Sequence, residues 1–162
     1  VHLACAGAAG SLPRSRVSRT GGRCSSTHLK VLAHTLRGED AGSFMAVRIG
    51  TGRRHQIRAH ASHVGHPTVC DGKYAPAPYL FDRTWCRRNF LHRHRLAFQD
   101  AAGNFREVLT PLPKDLLNAF KGLIPRDHES STGLVGQGLR DWNDCEVLGG
   151  VGGGAVPARG GA

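Results

Sequence analysis

One stretch of this 162-residue sequence concentrates side chains able to do chemistry. Thr51-Gly52-Arg53-Arg54-His55-Gln56-Ile57-Arg58-Ala59-His60 sets three guanidinium groups and two imidazoles within ten residues. Gly65-His66-Pro67 follows, and then Asp71 with Tyr74 three positions on. A planar guanidinium fork suits phosphate oxygens and stacks on flat rings, so a string of this kind is built to meet a polyanion. A second chemistry for the same stretch is metal binding through His55, His60, His63, His66 and Cys70. On a helix, steps of three residues drift round the surface, whereas zinc sites want tight Cys/His pairs. No metal site is expected here. Cys86, beside Trp85, is read as a small buried hydrophobe, the usual fate of a free thiol.

These residues need elements to hold them. His28–Leu36 alternates, with Leu29, Val31 and Ala33 on one side, and Phe44–Ile49 alternates again, with Met45, Val47 and Ile49 together. Period-two patterns either side of Arg37–Ser43, a turn by composition, predict a β-hairpin. The period then changes: Ile57, Ala61 and Val64 recur at i, i+4 and i+7, predicting an amphipathic helix with Thr51 as its N-cap and Gly65 and Pro67 as its stop. Arg53, Arg54 and Arg58 would lie in its first two turns. A second hairpin is predicted from Phe90–Phe98 and Phe105–Leu109 around Asp100–Asn104, and a last short helix after Pro111-Leu112-Pro113.

Charge agrees with the string. The chain carries 22 Lys+Arg against 12 Asp+Glu, a formal +10. Between Arg14 and Arg95 stand 16 of the bases and four acids, so that segment alone is +12. A concentrated basic surface is the footprint of a polyanion partner, although GC-rich codon usage also raises Arg and Gly together. Hydrophobic residues make up 40%, enough for a packed core. No apolar run approaches the roughly 18–20 residues of a spanning helix, so no membrane role is expected. Five scattered cysteines without C-x-x-C spacing argue against a disulfide framework and for a reducing intracellular compartment. Residues 1–21 show no sustained period and are expected to be an irregular lead-in. Residues 125–162 hold a Gly-rich tail expected to be disordered. The chain opens on Val1 without a leader pattern, and the expectation is a fragment of something longer.

The motif string resembles the signature of the RluA-type RNA pseudouridine synthases: T-G-R-x-H-Q-[IL]-R-x-H, then G-H-P, then G-D-x-x-Y. The likeness extends outward. Gly22-Arg23 with Thr27 matches the G-K-x-A-x-T segment, Leu91-His92 with Leu96 and Phe98 matches L-H-x-x-x-L-x-F, and Pro111-Leu112-Pro113-Lys114-Asp115 matches P-L-P-x-D. It covers about residues 22–120.

Two hairpins flanking one amphipathic helix predict an α+β fold, a mixed, mainly antiparallel sheet with packed helices, and the resemblance makes residues 22–124 a partial catalytic domain. It implies isomerisation of uridine to pseudouridine in RNA (rRNA or tRNA), with no cofactor and no metal. Members use an Asp in a His-Arg-Leu-Asp motif as the essential group, with a downstream Tyr and a basic partner for the Asp. Arg58 occupies the partner's slot; Arg53, Arg54, His55 and Gln56 would face RNA. Here the sequence departs from the pattern. Only 21 residues precede Gly22, and they hold neither Asp nor Tyr; His94-Arg95-Leu96 is followed by Ala97, and Asp71 falls at the structural G-D position, where Cys70 replaces the Gly. The chain alone is therefore expected to be inactive, and the alternative reading is a catalytically inactive RNA-binding relative.

Overall fold

In a computed structural model, which describes residues 2–6 and 14–132, the elements run β1 (His2–Ala6), β2 (Arg14–Ser18), β3 (Arg23–Cys24), β4 (Thr27–Arg37), β5 (Asp40–Ile49), α1 (Gln56–His63), α2 (Pro76–Asp82), β6 (Arg95–Gln99), β7 (Phe105–Leu109), α3 (Lys114–Lys121), β8 (Ile124–Pro125) and α4 (His128–Thr132). The strands form three sheets, ordered β2-β1-β3, β5-β4-β8 and β6-β7, and every pairing is antiparallel. This is the expected α+β class.

The first hairpin is longer than its alternation suggested. β4 and β5 pair down to Arg37 opposite Asp40, so the turn is Gly38-Glu39 rather than the whole of Arg37–Ser43. Gly38 adopts φ +61°, a left-handed conformation that glycine alone enters freely. The register shifts between Val31 and Ala33. A bulge inserts one extra residue and swaps the faces beyond it. Leu29 and Val31 are thus 42% and 45% exposed, while Ala33 and Thr35 are buried. On β5 the inward residue is Ala46, with the Phe44 ring packed at a tilt of 56° against Phe120 of α3, centroids 4.9 Å apart. Met45, Val47 and Ile49 share one face as expected, opposite Val31, Leu29 and Thr27, and it is the more open face of the hairpin.

Other boundaries move as well. Phe90–His94 is irregular: the Phe90 N–H is drawn to the Val69 carbonyl (2.9 Å), and beyond Arg95 the pairing continues only as the Thr110 N–H donating to the His94 carbonyl (2.8 Å). The lead-in is not irregular throughout: β1 pairs with both β2 and β3. Backbone pairing orders it without the hydrophobic period that a sequence reading needs. At the other end, β8 and α4 fall inside the stretch expected to be disordered. They are held where the His34 carbonyl accepts from Arg126 N–H (3.0 Å) and the His34 N–H donates to Ser130 Oγ (2.9 Å). Residues 133–162 of that tail lie outside the described residues.

The core sits between α3 and the loop-rich stretch before it. Cys70, Cys86, Leu116 and Ala119 are buried together, with Val69, Tyr79, Trp85, Phe90 and Leu112 packed round them. Arg88 fastens that stretch to the first turn of α3 through Asp115 (2.6 Å), which gives the P-L-P-x-D string a structural purpose.

Candidate functional site

Helix α1 begins five residues later than Thr51, and one buried side chain explains why. Gln56 is 2% exposed. Its Oε1 accepts from Thr51 Oγ1 (2.8 Å) and the Arg53 N–H (3.1 Å), while its Nε2 donates to the Ser26 carbonyl (2.8 Å) and Thr27 Oγ1 (3.0 Å). Thr51 thus binds a side chain instead of capping backbone. Gln56 ties the Thr51–Arg54 loop to the start of β4. Its amide is fully spent inside the fold, so its expected place among RNA-facing residues is corrected. His60, one turn on, is buried between Thr27 Oγ1 (2.8 Å) and Ser25 Oγ (3.2 Å). Burial lowers its pKa, which favours the neutral ring. The inward face of α1 is therefore Gln56, Ala59, His60 and Ala61, and Val64 of the predicted apolar stripe is 55% exposed.

Arg58 lies in the first turn of α1 and turns toward Asp71. Its Nε donates to Asp71 Oδ2 (2.7 Å) and its Nη2 to Oδ1 (2.6 Å), a bidentate pair. The Asp71 side chain is 0% exposed and that of Arg58 22%. Asp71 also accepts from Thr68 Oγ1 (3.1 Å), the Lys73 N–H (3.1 Å) and the Tyr74 N–H (2.9 Å). Burial pushes its pKa up, but the Arg58 fork and the two backbone N–H groups outweigh that and hold it below the usual carboxylate value. The same hydrogen bond raises the Arg58 pKa. With five donors on two oxygens, Asp71 is saturated and enclosed, so it cannot serve as a nucleophile.

The D-x-x-Y spacing now has a cause. A carboxylate that accepts from the N–H groups two and three residues on winds a tight turn, which returns Tyr74 to the mouth of α1. The Arg58 guanidinium lies over the Tyr74 ring, 5.2 Å from its centroid. Tyr74 Oη accepts from the Ser15 N–H of β2 (3.0 Å) and meets His55 Nδ1 at 3.2 Å. Ser15, 3% exposed, donates its hydroxyl to the Arg54 carbonyl (2.7 Å). His55 sits at φ +53°, ψ +22°, a left-handed conformation uncommon for a side-chain-bearing residue. Its pKa is lowered by burial first and then by Arg58, Lys73 and Arg54, so a neutral imidazole faces the tyrosine.

Of the predicted residues, the structure brings Arg58 and His55 into one cluster, places Arg53 and Arg54 exposed just before α1, and turns Gln56 inward. Tyr74 and Ser15 were missed as members of that cluster; the D-x-x-Y spacing signals the tyrosine, whereas nothing local marks Ser15. Arg88 and Arg95 are engaged by Asp115 and Glu107. Among the described residues no group of three His, Cys, Asp or Glu is placed to hold a metal ion.

A family model described as RNA pseudouridylate synthase matches residues 10–63. Uncharacterized RNA pseudouridine synthases of Mycobacterium bovis and Mycobacterium tuberculosis are each 40% identical over 101 residues, 62% of this chain and 32% of theirs. Over the matched residues this chain is similar to RNA pseudouridine synthases. An uncharacterized synthase of Bacillus subtilis is 33% identical over 117 residues, 70% of this chain and 38% of its own. Ribosomal large subunit pseudouridine synthase D of Vibrio vulnificus is 33% identical over 112 residues, 63% of this chain and 33% of its own. The chain spans about a third of the length of these curated relatives. The family match also starts ahead of Gly22 and takes in β2, which carries Ser15 to the site.

Proposed function

We propose that this chain supplies the arginine-bearing part of an RNA pseudouridine synthase active site, which isomerises uridine to pseudouridine in rRNA or tRNA. Uracil is detached from its ribose, turned, and rejoined through carbon in place of nitrogen. The observation that carries the reading is Arg58, held as a rigid fork inside an intact T-G-R-x-H-Q-I-R string. A guanidinium so placed favours the ionised form of a neighbouring carboxylate. That carboxylate is the essential Asp of the family's His-Arg-Leu-Asp motif, which these 162 residues do not contain. Arg53 and Arg54, exposed beside the start of α1, and His55 face the RNA backbone. The exposed guanidinium groups of Arg53 and Arg54 also fit a second reading, an RNA-binding relative that performs no chemistry.

A chimera separates the two. Residues of this chain replace the matching segment of the Vibrio vulnificus synthase, and pseudouridine formation is followed in a single turnover on its ribosomal substrate. Activity within an order of magnitude of the unaltered Vibrio enzyme supports the synthase reading. RNA binding without product supports the second.

A further inference from the structure

The guanidinium of Arg58 has two edges able to bind a carboxylate, and Asp71 takes only one. The side-on edge, Nε with Nη2, is occupied at 2.7 and 2.6 Å. Among the described residues no hydrogen-bond partner takes the end-on edge, Nη1 with the second Nη2 hydrogen. The arginine side chain retains 22% exposure while Asp71 has none. From this asymmetry we infer that Asp71 is the positioning residue of the site: it fixes Arg58 by one edge so that the other is presented to a second carboxylate. The inference rests on the synthase reading, and it adds a role to a residue otherwise counted as part of the scaffold.

The surroundings are built for that task. Asp71 is anchored by Thr68 on one oxygen and by the Lys73 and Tyr74 N–H groups on the other, so its own orientation is set before it meets Arg58. Thr68 is in turn held by Asn89 Nδ2 (2.9 Å). The Tyr74 ring lies against the guanidinium. Four rotatable side-chain bonds of an arginine would otherwise scatter the fork. Fixing it in advance leaves little to reorganise when a reacting carboxylate arrives. A lysine in the same place could satisfy Asp71 or the second carboxylate, but has no second planar edge to offer both.

The test pairs a spectroscopic signature with a kinetic one. In the 162-residue chain, the ¹⁵Nε–Hε signal of Arg58 should be resolved and slow to exchange with water, and Asp71→Asn should abolish that protection. In the Vibrio chimera the same substitution should cut the single-turnover rate about a hundredfold, the cost of misplacing a catalytic group by roughly an ångström, with RNA affinity unchanged. Thr68→Val, which keeps the ion pair and removes one anchor, should give partial loss in both measurements and serves if Asp71→Asn does not fold. Retained protection in Asp71→Asn overturns the inference, as does a rate that falls only together with RNA affinity. If the unsubstituted chimera is inactive, the synthase reading fails on its own account, and the exchange measurement still decides whether Asp71 orders Arg58.

Discussion

Arg58 and Asp71 form a charged pair of which only one member touches solvent, and this shapes what any substitution there reports. Removing Arg58 strands an ionised carboxylate inside the fold, a change that commonly costs about 3–5 kcal/mol. Arg58→Ala should therefore lower the unfolding free energy of the isolated chain, measured by urea denaturation, by an amount on the order of a few kcal/mol. In the active chimera it should slow turnover a hundredfold or more, since each ~1.4 kcal/mol of lost transition-state stabilisation is tenfold in rate. Stability and turnover must be measured on the same preparation, or the first effect will pass for the second. Gln56 makes the opposite case. Its four hydrogen bonds are internal, so Gln56→Ala should destabilise by about 2 kcal/mol or more, yet leave the RNA affinity of the folded fraction unchanged. A specific loss of affinity at matched folded fraction would return Gln56 to the interface.

At the scale of elements, α1 is a short helix whose buried face carries a glutamine and a histidine. Its attachment to β4 runs through hydrogen bonds to neutral side chains, and this makes the attachment sensitive to acid. His60 and His55 both have lowered pKa values, burial being the first cause in each case. In the unfolded chain each titrates near 6.5. The unfolded state therefore binds more protons below that pH, and the stability these two contribute is complete above about 6.5 and lost as pH falls through their folded values. Asp71 has the same sign lower down: its contribution is complete above about 4 and fades as pH drops toward its depressed value. Thermal unfolding from pH 8 to 5 should show the histidine-linked decline, and His60→Gln should flatten it. An unchanged slope in that variant would remove His60 as a cause.

The whole molecule combines a basic surface with incomplete cover. Leu29, Val31 and Ile49 of the first hairpin and Leu96, Phe98, Phe105 and Val108 of the second are all exposed, Phe105 at 66%. Leu96, Val108 and Phe98 share one face of the second hairpin while Phe105, paired with Gln99, lies on the other, and apolar strand surface left open marks an interface or an aggregation liability. The isolated chain should therefore bind a hydrophobic dye and self-associate as concentration rises, and Phe105→Ser should reduce both. The charge should show in RNA binding of low sequence preference that weakens steeply with salt. Replacing Arg53 and Arg54 by Ala should lower the slope of log affinity against log salt by about one for each phosphate that is no longer neutralised. A slope that stays put would place the RNA elsewhere on the +12 segment.

Several features are legible in the sequence because they depend on neighbours along the chain. Both hairpins, the helix that follows the T-G-R-R-H-Q string, and the α+β class are of this kind, and the string itself carries the resemblance to the synthases. The charge follows from composition alone. What only tertiary structure decided are the contacts made across the chain. The bulge at Val31–Ala33 exchanges the faces of β4, and a period-two pattern has no means of announcing an inserted residue. β1 and β2 are ordered by backbone pairing, which leaves no hydrophobic period to read. Gln56 reads as a surface group because amides usually are, and four partners from two separate segments turn it inward. Asp71 lies 13 residues from Arg58, and its spacing speaks only for a structural turn. The fold alone brings its carboxylate onto one edge of the guanidinium, and an ion pair so well buried is specified by the three-dimensional packing that excludes water from it.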